Sequence, residues 1–258
     1  MAVRIRKGIF MFFMFFLFAV GILLELLLVL PIIAVLEWCS SHKPSRMQNT
    51  HRFFLAIWLG LMRAGGLLAA KPAKGHCGEG PCIIIANHPG LFDVLFLIRD
   101  IPRLTVLVKR SLATWLPLGP IFRSSGYVLS PKGSTESPMI SLLDAMEKLR
   151  SGYKFLLFPE GTRSPVGALR KFQAGAFKIA QKQGVPIQPV LIYNDPPFLP
   201  KGDPWYFPAK ETSVIQIEFM EPIHIPKEKN IRDVVKEVEN LYYRALIQNS
   251  GRRDGNEP

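Results

Sequence analysis

The stretch Asn87-His88-Pro89-Gly90-Leu91-Phe92-Asp93, directly after the apolar run Cys82-Ile83-Ile84-Ile85-Ala86, carries the strongest structural signal in this chain. A histidine and a carboxylate five residues apart would face opposite sides of a strand and lie roughly 140° apart around an ideal helix. Pro89 and Gly90 supply a turn that can bring them together. The stretch predicts a strand, a tight loop and a helix whose first turn holds Asp93. In that geometry His88 is a candidate base and Asp93 is the carboxylate that orients it.

A second strand and loop occur later in the chain. The apolar run Phe155-Leu156-Leu157-Phe158 leads into Pro159-Glu160-Gly161-Thr162-Arg163-Ser164. Gly161 permits a sharp turn with close backbone approach, and Arg163 offers a planar guanidinium suited to a phosphate or a carboxylate. Either loop alone has a plain structural interpretation, as a polar turn whose histidine or arginine has no chemical role. Two such loops at strand ends in one chain favour a functional site.

The remaining pattern from Gly75 onward alternates short apolar strands with helices. It predicts an α/β fold with a mixed, largely parallel sheet flanked by helices. Strands are predicted over residues 82–86, 104–108, 127–129, 155–158, 187–193 and 214–219. Helices are predicted over residues 137–151, 171–183 and 231–248, from their capping residues and apolar periodicity. The Pro-rich and aromatic region 194–208 is predicted to be irregular, either as a surface loop or as a lid or membrane-dipping edge.

The N-terminal part of the chain is predicted to bind a membrane. Residues 9–36 are almost uninterrupted hydrophobe, and at about 1.5 Å per residue they are long enough to cross a bilayer core of about 30 Å. They are too long for the apolar core of a cleaved signal peptide, typically about 7 to 15 residues. Glu25 is anomalous, since an ionised carboxylate near mid-membrane costs on the order of 3 kcal/mol or more. We expect Glu25 to be protonated, paired or near a shallow interface.

The orientation of this anchor does not follow from charge, because basic residues flank the apolar segment on both sides. The next apolar stretch, residues 53–62, is too short to cross back and is predicted to be interfacial. We therefore favour a hairpin-like or half-buried anchor with both ends on the cytoplasmic side. One spanning helix with the N-terminus outside remains the alternative. The predicted organisation is an anchor over 1–72, with an apolar helix 9–36 and an interfacial helix 52–70, a catalytic domain over 73–250 and a polar tail over 251–258.

Composition narrows the choice of partner. The 258 residues are 48% hydrophobic and carry a formal charge of +12, which suggests an anionic partner. The basic residues flank very apolar segments, so a membrane surface is favoured, and no nucleic-acid-binding motif is present. The three cysteines form neither a disulfide framework nor a zinc pattern. The five histidines are dispersed, and neither a metal nor a cofactor is predicted.

The chain resembles the glycerophospholipid acyltransferase family, in particular the PlsC-like 1-acylglycerol-3-phosphate acyltransferases. Residues 87–93 match the family's HX4D motif, and residues 158–164 match its FPEGTR motif. Weaker matches occur at residues 108–126 and 185–190, and the resemblance covers about residues 50–225. The second family block usually closes with an arginine, whereas here the nearest cation is Lys132. This departure leaves the acceptor headgroup open.

The resemblance implies a membrane-bound acyltransferase that uses acyl-CoA or acyl carrier protein as co-substrate. His88 would deprotonate the acceptor hydroxyl as it attacks the thioester, and Asp93 would fix the histidine tautomer. Glu160, Gly161, Thr162 and Arg163 would form the acceptor-binding loop, with Lys109 at the same anionic site. Arg110 and Lys132 are weaker candidates.

The expected acceptor is a lysophospholipid, foremost 1-acylglycerol-3-phosphate, which would give phosphatidic acid. The expected location is a bacterial inner membrane, with the catalytic domain facing the cytoplasm. Three alternatives remain open: a different lyso-lipid or glycolipid acceptor, a membrane thioesterase in which His88 activates water, and a membrane-tethered binding module without turnover.

Overall fold

In the part of the chain that the structure describes, a seven-stranded mixed sheet forms the centre of the protein. The computed structural model describes residues 2–38, 45–130, 138–165, 168–204, 206 and 208–254. The strands are β1 (Leu68–Ala70), β2 (Ile83–Ala86), β3 (Leu104–Val108), β4 (Val128–Leu129), β5 (Lys154–Leu157), β6 (Ile187–Asp195) and β7 (Ser213–Phe219). Their order in the sheet is β1-β7-β6-β2-β5-β3-β4. The strands from β6 to β4 run parallel to one another, and β7 pairs antiparallel with β6. The predicted fold class is confirmed.

Helices cover both faces of the sheet. They are α1 (Ala2–Leu24), α2 (Leu30–Trp38), α3 (Ser45–Ala64), α4 (Asp93–Asp100), α5 (Arg110–Ala113), α6 (Leu118–Ser124), α7 (Pro138–Arg150), α8 (Gly175–Gln183) and α9 (Ile231–Asp254). Alternate residues of β2 divide the core, because successive strand side chains point to opposite faces. Ile84 packs in the cluster that holds residues of α1, α3 and α4, whereas Ile83 and Ile85 pack with residues of α7, α8 and α9.

Most predicted elements differ from the observed ones by a few residues at their ends, and larger differences occur in the anchor and in the tail. The predicted interfacial helix 52–70 is wrong at both ends, because α3 begins at Ser45 and ends at Ala64. Gly65 and Gly66 follow, with Gly66 at φ +69°, a left-handed conformation that ends the helix. Residues 68–70 then form β1, a strand that was not predicted. The last helix continues to Asp254, so part of the predicted polar tail 251–258 is helical, and residues 255–258 lie outside the described part of the chain.

The apolar N-terminal segment forms one long helical unit that packs against α3. A π-helical turn over Glu25–Val29 joins α1 to α2. The indole N–H of Trp58 in α3 donates a hydrogen bond to the Met14 carbonyl at 2.7 Å. A Cβ at Gly21 would lie within the Phe54 ring, so glycine lets the two helices approach closely. Residues 2–36 are the candidate membrane span among the described residues, on length and apolar composition.

Glu25 is paired in the structure. Its Oε2 lies 2.9 Å from Nδ1 of His51 in α3, and both side chains are almost completely buried. One turn earlier in α3, the amide of Gln48 donates to the carbonyls of Leu104 and Ser125, which belong to the catalytic domain. These contacts give the long helix, α3 and the sheet a fixed relative position. Of the three alternatives predicted for Glu25, pairing is the one observed.

The C-terminal helix reaches into the middle of the sheet through Tyr242. Pro189 in β6 lies opposite Ile85 in β2 and has no N–H to donate. The buried hydroxyl of Tyr242 donates to the Ile85 carbonyl at 2.8 Å and accepts the Val190 N–H at 3.0 Å. One side chain therefore bridges the two strands where a proline interrupts their hydrogen bonds.

Replacing Tyr242 with phenylalanine should lower the free energy of unfolding by about 1–3 kcal/mol, because buried backbone groups lose their partner. Denaturant unfolding monitored by circular dichroism measures this change. The matched control is Tyr243→Phe, since Tyr243 is 45% exposed and its hydroxyl makes a long 3.4 Å contact with the Leu169 carbonyl. Equal effects of the two substitutions would contradict the bridging role of Tyr242.

Candidate active site

Both motif loops lie at the same edge of the sheet. One follows β2 and the other follows β5, and these strands are parallel neighbours. In open α/β sheets, ligands bind in the crevice outside the carboxyl ends of the strands. The Ser164 N–H donates to the His88 carbonyl at 2.8 Å, so the two loops are in direct contact.

His88 and Asp93 form the predicted pair. Nδ1 of His88 lies 2.9 Å from Oδ2 of Asp93, and the Gly90 N–H donates to the same oxygen at 2.7 Å. The His88 side chain is 18% exposed, whereas that of Asp93 is almost inaccessible. With Nδ1 engaged by the carboxylate, Nε2 is the imidazole nitrogen left to accept a proton from a ligand. The Phe158 ring stacks on the imidazole with 4.1 Å between centroids, which restricts its orientation.

Opposing influences act on the pKa of Asp93. Burial raises it above the ordinary value, because a charged carboxylate is poorly solvated in this interior. The contact with His88 and the hydrogen bond from the Gly90 N–H act in the other direction and are the smaller influences. The pKa of Asp93 therefore stays above its ordinary value, and the contact with His88 favours the ionised form that stabilises an imidazolium.

Gly90 allows the turn between His88 and Asp93 to close. A Cβ at this position would lie 2.5 Å from Nδ2 of Asn194 and 2.7 Å from the Phe198 carbonyl oxygen. Neither distance is compatible with a side chain. The predicted tight loop therefore depends on glycine for space, since the 194–208 region packs directly against it.

Glu160 connects the two loops. Its Oε1 accepts the His88 N–H at 3.2 Å and the Ser164 hydroxyl at 2.6 Å. Its Oε2 accepts the Arg170 N–H at 2.8 Å. The side chain is buried, and these contacts turn the carboxylate toward the protein. Its predicted role in acceptor binding stays a prediction, and the observed contacts assign it a role in holding the loops.

The other members of the second loop lie at its surface. Gly161 has φ +70°, in agreement with the predicted sharp turn, and Thr162 is half-buried. Arg163 is half-buried too, and its Nη1 donates to the Leu199 carbonyl at 2.9 Å. This contact uses one of five N–H donors of the guanidinium and fixes its direction.

The predicted cations on the neighbouring strand differ in position. Lys109 is exposed at the carboxyl end of β3. Because β5 lies between β3 and β2, the backbone at Lys109 is about 10 Å from the line of β2, the strand that leads to His88, at the usual spacing between strands. Arg110 uses its backbone N–H and its Nε to bind Ser130, which favours a structural role. Lys132 lies outside the described residues.

The region 194–208 contacts both loops. Asn194 and Asp195 still belong to β6, and the described residues after them are irregular, as predicted. Phe198 and Leu199 are almost completely buried, so this part is not a solvated surface loop. The Leu91 N–H donates to the Phe198 carbonyl at 3.3 Å, and Arg163 binds the Leu199 carbonyl. Trp205 and Phe207 lie outside the described residues. Sequence reasoning missed Asn194 as part of the site, because nothing marks this asparagine except its position at a strand end.

An apolar groove opens next to the site, on the sheet face that α7 and α8 cover. Its volume is about 730 Å³, and Phe158, whose ring stacks on His88, forms part of its wall. The apolar lining includes Leu107, Leu142, Phe155, Leu157 and Ile179. Lys178 and Lys182 of α8 also border it. The groove offers an apolar ligand a place close to the imidazole.

Comparisons with known proteins agree with this arrangement. The acyltransferase family model matches residues 64–193, half of the chain and both motif loops. The chain therefore belongs to the acyltransferase family. Within it, a 1-acyl-sn-glycerol-3-phosphate acyltransferase of Pseudomonas aeruginosa is 31% identical over 183 residues, which are 69% of this chain and 66% of the relative.

Two further comparisons support the predicted PlsC-like resemblance. The human 1-acyl-sn-glycerol-3-phosphate acyltransferase beta is 34% identical over 113 residues, 43% of this chain and 41% of the relative. The chain thus spans less than two thirds of the length of these curated relatives. The crystal structure of PlsC, the 1-acyl-sn-glycerophosphate acyltransferase of Thermotoga maritima, superposes with a TM-score of 0.69 at 21% identity. That match covers 95% of this chain and 96% of the other, and it confirms the fold.

Proposed function

We propose that the protein transfers a fatty acyl group from acyl-CoA or acyl carrier protein to the free hydroxyl of 1-acylglycerol-3-phosphate, giving phosphatidic acid. The observation that carries this proposal is the His88–Asp93 pair, in which Nδ1 and Oδ2 are 2.9 Å apart. The pair lies at the carboxyl ends of the strands, where the neighbouring loop also holds Arg163. The named relatives act on the same acceptor according to their descriptions.

The chemistry follows from the geometry of the pair. A hydroxyl is a weak nucleophile at neutral pH, so Nε2 of His88 takes its proton as the oxygen attacks the thioester carbonyl. The new C–O bond forms and the C–S bond breaks, and the imidazolium returns the proton to the departing thiolate. Asp93 holds the reactive tautomer and stabilises the imidazolium between these steps. No acyl-enzyme intermediate is needed.

Arg163 is proposed to bind the acceptor phosphate. Its contact with the Leu199 carbonyl holds the guanidinium at the mouth of the second loop, and a fork of N–H donors fits phosphate oxygens. Lys109 is proposed to add a second positive charge to the same anion-binding site. Fixing the phosphate places the hydroxyl against His88, which accelerates the reaction through orientation.

The apolar groove is proposed to hold the acyl chain of the donor. Leu107 is 44% exposed although β3 has a paired strand on each side, and its side chain lines the groove. Replacing Leu107 with tryptophan should shift the donor preference toward shorter acyl chains, because the larger side chain fills part of the volume. Competition between labelled donors of different length measures the preference. Leu107→Ala should shift it the opposite way, and an unchanged preference in both variants would place the chain elsewhere.

We propose further that the protein lies on a bacterial inner membrane with its catalytic edge facing the cytoplasm. The long helix exposes a continuous apolar face, and α5 together with the turn that follows it exposes more apolar side chains next to Lys109. These are Phe12, Phe16, Leu27, Leu28 and Ile32 on the long helix, Leu112 in α5, and Trp115 and Leu116 in the turn after α5. Such a surface would bring the active-site edge to the level of lipid headgroups.

The test is a product assay. Purified membranes containing the protein are incubated with labelled acyl-CoA or acyl carrier protein and a panel of lyso-lipids, and products are identified by mass spectrometry. Labelled phosphatidic acid from 1-acylglycerol-3-phosphate is the expected result. Free fatty acid as the main product would identify a thioesterase instead. A label found only in another lipid would correct the acceptor.

A further inference from the structure

Phe92, the residue directly before Asp93, packs against aromatic rings from distant parts of the chain. The centroid of its ring lies 5.9 Å from that of Phe15 in α1, 5.1 Å from that of Trp58 in α3 and 5.2 Å from that of Phe198. Phe92 is only 5% exposed, so the packing around its ring is close. The first two of these rings belong to the N-terminal helices, which lie outside both motif loops.

The backbone at Phe92 determines where Asp93 lies. Phe92 is the N-terminal cap residue of α4, and Asp93 is the first residue of that helix. A phenylalanine cannot make the side-chain hydrogen bond that a serine or an aspartate makes at this position, so the start of the helix is held by apolar packing instead. The Phe92 carbonyl accepts the Phe96 N–H at 3.2 Å, which begins the helical hydrogen bonds.

The Asp93 carboxylate is held by hydrogen bonds at one oxygen. Oδ2 contacts His88 and accepts the Gly90 N–H, whereas the buried Oδ1 has no hydrogen-bond partner among the described residues. The direction of the carboxylate therefore depends on the backbone that carries it. A shift of Phe92 would move the carboxylate relative to the imidazole, and a misplacement of about 1 Å can lower a rate by about 10²-fold.

The rings of Phe15 and Trp58 are well placed to prevent such a shift. The indole N–H of Trp58 donates to the carbonyl of Met14, the residue before Phe15, at 2.7 Å. The two rings meet edge to face with 6.5 Å between their centroids, and Trp58 is 2% exposed. Both helices therefore present one connected aromatic surface to Phe92.

We propose that Phe15 and Trp58 are positioning residues of the catalytic pair. Their rings hold Phe92 in place, and through Phe92 they hold the Asp93 carboxylate against the imidazole. They act through the start of α4 and do not touch the substrate. The proposal rests on the proposed roles of His88 and Asp93, and it gives α1 a part in the chemistry in addition to its proposed contact with the membrane.

Replacing Phe15 with alanine removes one ring from this surface and leaves both motif loops unchanged in sequence. We expect kcat to fall roughly 10- to 100-fold, because Phe92 can shift and the carboxylate loses its fixed direction. We expect the KM values of both substrates to stay close to those of the parent, since Phe15 neither contacts Arg163 nor lines the groove. Phe15→Leu keeps part of the apolar volume and should lower kcat roughly 2- to 10-fold, the equivalent of a lost aromatic contact. It serves if the alanine variant fails to fold.

A phenylalanine on the same helix provides the matched control. Phe13 is 49% exposed, and Phe13→Ala removes the same side chain without reaching Phe92. With rates expressed per membrane-bound protein, Phe13→Ala should keep the parent kcat, and Tyr242→Phe controls for lost stability without lost positioning. An equal loss of kcat in either control would overturn the proposal, as would a parent-like kcat in Phe15→Ala or, should that variant not fold, in Phe15→Leu.

A double-mutant cycle with Asp93→Asn distinguishes positioning from a general structural effect. If Phe15 acts through Asp93, Phe15→Ala should cause little further loss of kcat in the Asp93→Asn background. A loss by the same factor in both backgrounds would show that the two residues act independently and would overturn the proposal.

The rates are measured on whichever reaction the parent catalyses in the product assay. Acyl transfer and thioester hydrolysis would both use His88 and Asp93, so the cycle remains interpretable if the acceptor is not the proposed one. A wrong acceptor changes the product and leaves the coupling between Phe15 and Asp93 intact. A wrong role for Phe15 leaves the product unchanged and removes the coupling.

Discussion

Replacing His88 with alanine should lower kcat by about 10²- to 10⁴-fold, the usual contribution of a positioned general base. The acceptor hydroxyl would then have to lose its proton to water, and the departing thiolate would have no nearby acid. The KM values should change little, since the contacts of Arg163 and the apolar groove do not involve the imidazole. Steady-state rates with purified protein in vesicles measure both quantities.

A histidine outside the site provides the matched control. His224 is exposed, and His224→Ala removes the same side chain without touching either motif loop. Thermal unfolding and vesicle flotation should be the same for His88→Ala, His224→Ala and the parent, because His88 is partly exposed and does not support the membrane-facing helix. Turnover of His88→Ala near the parent rate would refute the assigned base. Loss of flotation together with activity would point to a folding defect.

The motif loops were predictable because their residue types constrain the backbone locally. Pro89 and Gly90 favour a turn in the backbone, and the apolar runs before His88 and before Pro159 are long enough for buried strands. The pairing of His88 with Asp93 follows from that turn alone. The bounds of β3, Leu104–Val108, match the prediction because charged and polar residues flank a short β-branched run.

Other features depend on contacts between distant parts of the chain, which no local pattern encodes. Glu160 has the residue type expected of a ligand-binding carboxylate, yet donors from three backbone and side-chain groups satisfy it within the protein. The pairing of Glu25 with His51 needs α3 to lie antiparallel beside the long helix. Asn194 is distant in sequence from both loops, and only the order of β6 beside β2 brings it to them.

The strand β1 shows that secondary structure, too, can depend on contacts between distant parts of the chain. Residues 68–70 are too short for a periodic signal, and only Gly65, Gly66 and Leu67 separate them from the end of α3 at Ala64. Their strand conformation comes from pairing with β7, some 145 residues later, at Leu68 opposite Ser213. The helix prediction over 52–70 therefore failed where tertiary pairing overrides local propensity.

Replacing Arg163 with alanine should raise the KM for 1-acylglycerol-3-phosphate by roughly 10- to 100-fold, because a hydrogen bond to a charged group is worth about 1.5–3 kcal/mol. The KM for the acyl donor should change little, since Arg163 is not among the residues that line the groove. The half-buried guanidinium has one N–H bound to the Leu199 carbonyl, so it is already held in place before the acceptor arrives. Arg163→Lys should recover part of the affinity, because it restores the charge without the planar fork.

The acceptor without its phosphate provides the sharpest comparison. With monoacylglycerol, the parent and Arg163→Ala should have similar kcat/KM, since the lost contact involves only the phosphate. Arg150→Ala removes the same charge at an exposed position at the end of α7 and should leave both acceptors unaffected. An unchanged KM for the phosphorylated acceptor in Arg163→Ala would place the phosphate elsewhere. Equal losses for both acceptors would mean that Arg163 serves the catalytic loop through Leu199 and does not bind the headgroup.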